Sequence, residues 1–172
     1  MVGESLLTRA DIESAFGDLG RAAYEAGKVI DLSVVGGAAI VLLFAARPAT
    51  RDVDAVVSGD TAFLREAVRR VADKRGWKED WLNDSVKGFL SARHGEHDEY
   101  LLAMKCLAMR MGSPISRDVD DIRLLVRHLG LSTADQVLDI VGGYYPNRLI
   151  APRTQFGIEE IMQSLAREGS GE

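Results

Sequence analysis

The 172-residue sequence is poor in cysteine, proline and aromatic residues. Its one cysteine, Cys106, has no second cysteine to pair with, which excludes a small scaffold held together by intramolecular disulfides. The longest apolar run, residues 36–46, is too short for a membrane-spanning helix, which needs about 20 residues. The first residues, Met1-Val2-Gly3-Glu4, lack the basic and apolar segments of a secretory signal. We therefore expect a cytoplasmic protein with no membrane partner.

The charge balance is acidic, with 21 Lys and Arg against 26 Asp and Glu and a net charge of −5. Such a chain offers no general basic surface, so any contact with nucleic acid has to be local. Its hydrophobic fraction of 47% and charged fraction of 27% are ordinary for a globular protein. A chain of this length buries about 68–70% of its unfolded surface, so it needs no metal or disulfide to fold.

Apolar periodicity predicts a mixed front half, residues 1–97. A capped helix follows Thr8 and ends near Gly27. The other predicted elements are a buried strand (29–35), a buried helix (38–46), a turn (47–51), a second strand (52–57), a helix (61–74) and a short helical stretch with loops (77–90).

The back half, residues 98–172, reads as helical and is expected to pack on the front half as one compact unit. Its predicted helices cover residues 100–111, 116–129, 133–141 and 158–167, with a loop at Gly142 and Gly143. The fold class predicted from these patterns is α+β.

The most informative stretch is a strand that ends in Gly36-Gly37, followed by Asp52-Val53-Asp54 at the start of the next strand. Residues two apart in a strand point to the same face, so both carboxylates could bind one Mg²⁺. Glycines without Cβ atoms let a phosphate approach the backbone, and the N-terminus of the following helix attracts anions. The pattern indicates metal-assisted phosphoryl or nucleotidyl transfer.

Arg47, Thr50 and Arg51 directly precede the acids and are candidates for further phosphate contacts. A plainer interpretation stays open beside this one. A Gly-Gly pair after a strand is often only a tight turn, and an Asp on an edge strand is usually a solvated surface residue.

These residues together resemble the minimal nucleotidyltransferases, in the branch related to AbiEii-type toxins. The residues that carry the resemblance are Gly36-Gly37, Arg47-Pro48-Ala49-Thr50-Arg51-Asp52-Val53-Asp54 and Trp81-Leu82-Asn83-Asp84. Residues 100–110, 117–122, 144–146 and 152–155 are similar to members of that branch as well.

The resemblance implies a nucleotidyltransferase fold, a small mixed sheet with the acidic strand at its centre and a helical region behind it. It implies that Asp52 and Asp54 hold Mg²⁺ or Mn²⁺ and that the Gly36-Gly37 turn holds the triphosphate of an NTP. It also implies that Lys105 and Asp121 complete the nucleotide site. Such proteins commonly act as toxins with a cognate antitoxin, and some transfer nucleotides to tRNA or other RNA.

Lys105 can also be interpreted from its own surroundings. Its neighbours one helical turn away, among them Leu101 and Met109, are apolar, so the lysine rises from a buried helix face. A buried ammonium needs a partner, which is either a phosphate or an acid such as Asp118 or Asp121.

One departure from the family bears on catalysis. The third catalytic acid usually comes from a strand before the lysine helix, and residues 88–97 show no apolar strand carrying an acid. The resemblance as a whole leads us to expect a nucleotidyltransferase acting on RNA or protein, and the missing acid keeps two alternatives open. One is a catalytically decayed protein that binds nucleotide or a partner, as an antitoxin or regulator. The other is an enzyme that modifies small molecules.

Overall fold

The computed structural model describes residues 6–86, 97–109 and 117–169. The chain forms two compact units, Met1–Gly88 and Phe89–Glu172. The predicted α+β class is confirmed, since a small sheet lies in the first unit and the described part of the second is helical. Within the described ranges, no helix combines the length and apolar character needed to cross a membrane.

The first unit is built around a three-stranded mixed sheet. Its elements are β1 (Leu7–Thr8), α1 (Arg9–Glu25), β2 (Ile30–Val35), α2 (Gly36–Ala39), β3 (Ala49–Thr50), β4 (Val53–Gly59), α3 (Thr61–Arg75) and β5 (Leu82–Asn83). The strand order is β2-β4-β5, with β2 antiparallel and β5 parallel to the central β4. β1 and β3 form a separate two-stranded antiparallel sheet.

α1 begins where the sequence predicts it, at a capping box. The Thr8 hydroxyl accepts a hydrogen bond from the Asp11 backbone N–H (3.2 Å), and the Asp11 carboxylate accepts one from the Thr8 N–H (2.9 Å). The Thr8 hydroxyl also donates to the Asp11 carboxylate (2.6 Å), and this bond, together with the one from the Thr8 N–H, lowers the pKa of Asp11. The helix then buries Ile12, Ala15 and Leu19 in the core of the first unit.

α3 also follows its prediction. Asp60 caps it by accepting a hydrogen bond from the Phe63 N–H (2.9 Å), and Gly76 ends it in the left-handed conformation at φ 68°. Lys28 pairs with Asp60, and this hydrogen bond lowers the pKa of the Asp60 carboxyl.

The predicted buried helix at residues 38–46 differs in detail. It begins earlier, at Gly36, and after Ala39 it continues as a π-helical turn over Ile40–Phe44. Ala45 ends it at φ 48°, in the left-handed region that non-glycine residues rarely adopt. A wider turn of this kind is not visible in an apolar pattern that has no polar residue to mark one face.

The prediction of a helical stretch with loops at residues 77–90 is wrong for its described part, because β5 lies there. The Trp81 indole N–H donates to the Val68 carbonyl (3.1 Å), and the Trp81 carbonyl accepts from the Val53 N–H (2.7 Å). Pairing with the central strand therefore holds this segment in an extended conformation. The sequence did not predict β5 because two residues are too few to show the alternating pattern of a strand. Residues 87–90 lie outside the described ranges.

The second unit contains four described helices, α4 (His97–Ala108), α5 (Asp118–His128), α6 (Ala134–Tyr144) and α7 (Pro152–Gly169). Its described core is aliphatic and draws on all four helices, with Leu101, Leu102, Ile122, Leu125, Val137, Val141, Ile158 and Ile161 buried. The predicted helical character of this half is thus confirmed.

The helix ends differ from prediction at several points. α6 starts as predicted, with Thr133 and Gln136 forming a capping box, but it runs through the expected loop at Gly142 and Gly143 to Tyr144. α7 begins at Pro152, a residue whose fixed φ suits the first helical turn, rather than at residue 158. Residues 110–116, which include the predicted end of the helix at residue 111 and the predicted start of the next at residue 116, lie outside the described ranges.

Candidate functional site

The Gly36-Gly37 bend joins the end of β2 to α2. Gly36 has φ 64°, a conformation that a side chain would strain. A Cβ atom added at Gly36 would lie 3.0 Å from Asp54 Oδ2. The Asp54 carboxylate therefore lies directly against the bend, as the sequence predicts for an acid on the neighbouring strand.

Gly37 is covered by two polar side chains. A Cβ atom there would lie 2.1 Å from Arg47 Nη2 and 2.9 Å from Thr50 Oγ1. Arg47 Nη2 donates a hydrogen bond to Thr50 Oγ1 (3.2 Å), and Thr50 is only 5% exposed. The bend therefore brings together three predicted site residues, Arg47, Thr50 and Asp54, around a backbone that has no side chains of its own.

Asp54 lies on the less buried face of the sheet. Its neighbours Val53 and Ala55 are fully buried, and strand alternation turns Asp54 to the opposite face. There it is half-buried between Val35 of β2 and Asn83 of β5, its register partners on either side.

Asp52 and Arg51 are placed differently from Asp54. Both are exposed, and both precede β4, which begins at Val53. The shared face predicted for Asp52 and Asp54 depends on strand geometry at both positions, and the strand covers only Asp54. A common metal site for the two acids thus stays a prediction.

Asn83 is a site residue that the sequence reasoning missed. β5 pairs in parallel with β4 so that Asn83 lies opposite Asp54, and paired residues of neighbouring strands share a face. Its Oδ1 accepts a hydrogen bond from the Ser85 N–H (2.9 Å), and its Nδ2 donates to the Asp80 carbonyl (3.4 Å). The signal was present in Trp81-Leu82-Asn83-Asp84, where a polar pair follows two apolar residues.

The position of β5 bears on whether the site has the third carboxylate that the family places on a strand before the lysine helix. A short strand, β5, precedes the lysine helix along the chain, ahead of the residues 88–97 in which the sequence shows no apolar strand carrying an acid. It carries a carboxamide, Asn83, beside Asp54, and a carboxylate, Asp84, directly follows it. Residues 88–96 lie outside the described ranges.

Lys105 lies in the second unit between two carboxylates. Its Nζ is 2.7 Å from Asp121 Oδ2 and 3.2 Å from Asp118 Oδ1. The side chains of Lys105 and Asp121 are 12% and 4% exposed, so the pair is largely removed from water. This ion pair is one of the two roles that the sequence leaves open for Lys105, and a phosphate contact stays a prediction.

The candidate metal ligands of the site are the carboxylates of Asp52 and Asp54. The described residues contain no cluster of three or more His, Cys, Asp or Glu side chains positioned to hold a metal ion. Mg²⁺ typically uses one or two protein carboxylates and takes its other ligands from water and substrate phosphates. A donor set of Asp54 and Asp52 fits that pattern.

No family model, curated protein or solved structure matches this chain. The resemblance to nucleotidyltransferases therefore depends on the residues described above and on their arrangement.

Proposed function

We propose that this chain is a nucleotidyltransferase that uses Mg²⁺ or Mn²⁺ to transfer a nucleoside monophosphate from an NTP to an RNA or protein acceptor. One observation carries the proposal: the Gly36-Gly37 bend is contacted by the Asp54 carboxylate, the Arg47 guanidinium and the Thr50 hydroxyl. Such a site combines a glycine backbone, an anion-binding guanidinium and a candidate metal-binding carboxylate within a few ångströms.

Arg47 and the bend would bind the triphosphate. A guanidinium presents several N–H donors in a plane that matches two phosphate oxygens at once. A glycine backbone allows the phosphate to approach more closely than any residue with a Cβ atom would. Thr50, which holds Arg47 through its hydroxyl, would keep the guanidinium oriented toward the bend.

Asp54, with Asp52, would hold the divalent cation. The bound ion would supply charge neutralisation for the phosphates and for the leaving pyrophosphate. Arg51 is a further phosphate ligand in this proposal. Lys105 and Asp121, by contrast, already form an ion pair in the second unit, so this proposal does not depend on their binding nucleotide.

The biological role follows from the resemblance alone. The AbiEii-related branch contains toxins that are neutralised by a cognate antitoxin, and we propose the same setting for this chain. The acceptor in that case is tRNA, another RNA or a protein.

The test is label transfer from each of the four NTPs to total RNA or to lysate proteins, with Mg²⁺ or Mn²⁺. We expect Asp54→Asn to reduce transfer at least about 100-fold, because it removes the carboxylate that would hold the charge-neutralising cation. Asp31→Asn is the matched control, since Asp31 is an exposed acid of β2 on the same sheet face. Equal labelling by the wild type and Asp54→Asn would refute the proposal.

A second candidate function, nucleotide binding without transfer, is favoured by Asn83. A neutral carboxamide occupies the position beside Asp54 where a further carboxylate would strengthen metal binding. A ligand at 100 times its Kd stabilises a protein by about 2.7 kcal/mol. A rise in Tm with NTP and Mg²⁺, in the absence of any transfer, would identify this function.

A further inference from the structure

One short helical segment connects the Gly36-Gly37 bend to the arginine that covers it. The segment begins at the bend, and its π-helical turn ends at Phe44. Arg47 follows three residues later, and its guanidinium lies back over Gly37, 2.1 Å from the place that a Cβ atom would take. For Arg47 to reach the start of the segment that Phe44 ends, the backbone has to turn back between these two residues.

Ala45 makes this turn in the left-handed conformation, at φ 48° and ψ 20°. Helices commonly end in a left-handed residue, but that residue is usually glycine because a Cβ atom disfavours the conformation. Among the residues that the structure describes, Ala45 is the only non-glycine residue with a positive φ. A strained residue therefore lies two positions before a proposed phosphate ligand, and residues of this kind cluster at functional sites.

The backbone, and not the side chain of Ala45, is what the surrounding structure holds in place. Ala45 and the next residue, Ala46, are both exposed, so neither methyl group is packed in the core. Upstream, Ile40 and Val41 of the π-helical turn are buried. Downstream, Thr50 is buried and is paired with β1. Between these two anchors, the conformation of Ala45 sets the direction in which the chain leaves the helix.

Pro48 restricts Arg47 from the other side. A residue that precedes proline is confined largely to extended conformations, so the backbone of Arg47 has little freedom of its own. Arg47 Nη2 donates a hydrogen bond to Thr50 Oγ1 (3.2 Å), which orients the guanidinium. The exit angle at Ala45 is therefore the remaining backbone variable that decides whether the guanidinium reaches the bend.

We propose that Ala45 is a positioning residue, whose left-handed conformation places the Arg47 guanidinium on the Gly36-Gly37 bend to bind the phosphates of the nucleotide. The identity of the ligand rests on the proposed function, whereas the position of Arg47 can be tested without any ligand. A residue that only ended the helix would affect stability alone. A residue that positions Arg47 affects nucleotide affinity, and it does so through Arg47.

The experiment compares substitutions of Ala45 that differ in their tolerance of the left-handed conformation. Asparagine adopts it readily, whereas valine, which is branched at Cβ, does not. NTP affinity with Mg²⁺, measured by isothermal titration calorimetry, should fall at least about tenfold in Ala45→Val and stay within about twofold of the wild type in Ala45→Asn. Ala46→Val is the matched control, because Ala46 is also exposed and its φ is not positive.

A double-mutant cycle tests whether Ala45 acts through Arg47. Arg47→Ala alone should lower NTP affinity at least about tenfold, and adding Ala45→Val should lower it no further, because the guanidinium is already gone. Independent losses would multiply to at least about 100-fold. The NMR signal of the Thr50 methyl group gives a readout without nucleotide, since Thr50 contacts Arg47. This signal should shift in Ala45→Val toward its position in Arg47→Ala.

Circular dichroism and Tm establish that each variant is folded, and Ala45→Leu, which is unbranched at Cβ, replaces the valine variant if that one does not fold. Wild-type NTP affinity in Ala45→Val, multiplied losses in the double variant or an equal loss in Ala46→Val would overturn the inference. If the wild type binds no NTP, the proposed function fails and the Thr50 signal decides alone. An unchanged Thr50 signal in Ala45→Val would then overturn the positioning role.

Discussion

Two groups of charged side chains, one in each unit of this protein, have opposite surroundings. In the second unit, Lys105 is held between Asp121 and Asp118 and is largely shielded from water. In the first unit, Asp52 and Arg51 lie at the surface, and the half-buried Asp54 contacts a bend made of glycine. Burial makes an ionic group costly unless it is paired. The paired Lys105 of the second unit therefore serves stability, whereas the charged residues near the glycine bend of the first unit can serve binding.

The comparison separates structural charges from functional ones on physical grounds. In an ion pair removed from water, each charge is compensated by its partner. Loss of one member leaves the other charge buried and uncompensated. The Asp54 carboxylate instead lies against the glycine bend that we propose as the nucleotide site. Substitutions at the Gly36-Gly37 bend should therefore change binding more than stability, and those around Lys105 should do the reverse.

The largest effect is expected from Lys105→Met. The substitution leaves the Asp121 carboxylate buried without its lysine, which we expect to lower the free energy of unfolding by about 3–5 kcal/mol. Urea denaturation followed by circular dichroism measures this change. Arg127→Met is the control, because the Arg127–Glu168 pair is exposed (62% and 44%) and is worth about 1 kcal/mol or less. Equal losses of unfolding free energy in the two variants would contradict the stabilising role of the Lys105 ion pair.

The next largest effect is expected from Gly37→Ala, which tests the Gly36-Gly37 bend of the first unit. The added methyl would collide with Arg47 Nη2 and would lie 2.9 Å from the hydroxyl of the buried Thr50, so both side chains must move away from the bend. We expect NTP affinity with Mg²⁺ to fall at least about tenfold, or 1.4 kcal/mol, as measured by isothermal titration calorimetry. Gly20→Ala in α1, where nothing lies within 4 Å, should leave affinity unchanged and add up to about 1 kcal/mol of stability. Unchanged NTP affinity of Gly37→Ala would show that the bend is not part of the nucleotide site.

A smaller, pH-dependent effect is expected for Asp18→Asn. The hydrogen bond from Arg75 (2.7 Å) lowers the pKa of Asp18 below its ordinary value of 3.8. A lowered pKa stabilises the folded state above pH 3.8, and this contribution is lost as the pH falls through the lowered pKa. The wild type should therefore exceed Asp18→Asn in the free energy of unfolding at pH 7 by about 1 kcal/mol, and should melt at a higher temperature, because a partly exposed ion pair is lost.

The check on this prediction is a series of thermal melts from pH 7 to pH 2. The difference in Tm should stay constant down to about pH 5 and should then shrink toward zero. A difference that grew as the solution became more acidic would have the wrong sign and would contradict the assignment.

The smallest expected effect concerns Cys106, the neighbour of Lys105 in α4. Burial raises the pKa of its thiol to about 12, so the thiolate is scarce at neutral pH. Native protein at pH 8 should react with Ellman's reagent only as fast as it unfolds, while urea-unfolded protein should react at once. Rapid reaction of the native protein would show that this side of α4 opens readily.

Local signals predicted much of the fold. The capping residues Thr8, Asp60 and Thr133 and the apolar stripes of α1 and α3 act through neighbours in sequence, so they are visible in the sequence itself. β5 was missed because its two residues become a strand only by pairing with Val53 and Asp54. The π-helical turn was missed because an apolar run has the same pattern in either helix type.

The site was predictable to a similar degree. The glycine pair, Arg47, Thr50 and Asp54 were found because their spacing brings them to one bend. Asn83 depends on a parallel strand that enters after the α3 crossover, and a parallel register cannot be read from either strand alone. The partners of Lys105 were anticipated because α5 begins with acids that could reach it, although only coordinates could decide which would.

Both tryptophans of the protein, Trp77 and Trp81, lie in the first unit, with their rings 5.3 Å apart and Trp81 almost fully buried. Their intrinsic fluorescence therefore reports on that unit alone. The four tyrosines do not share this selectivity, because Tyr24 lies in the first unit and Tyr100, Tyr144 and Tyr145 lie in the second. Excitation at the red edge of indole absorption would follow the melting of the sheet without labelling, and a mismatch with the far-ultraviolet signal would reveal whether the helical half unfolds separately.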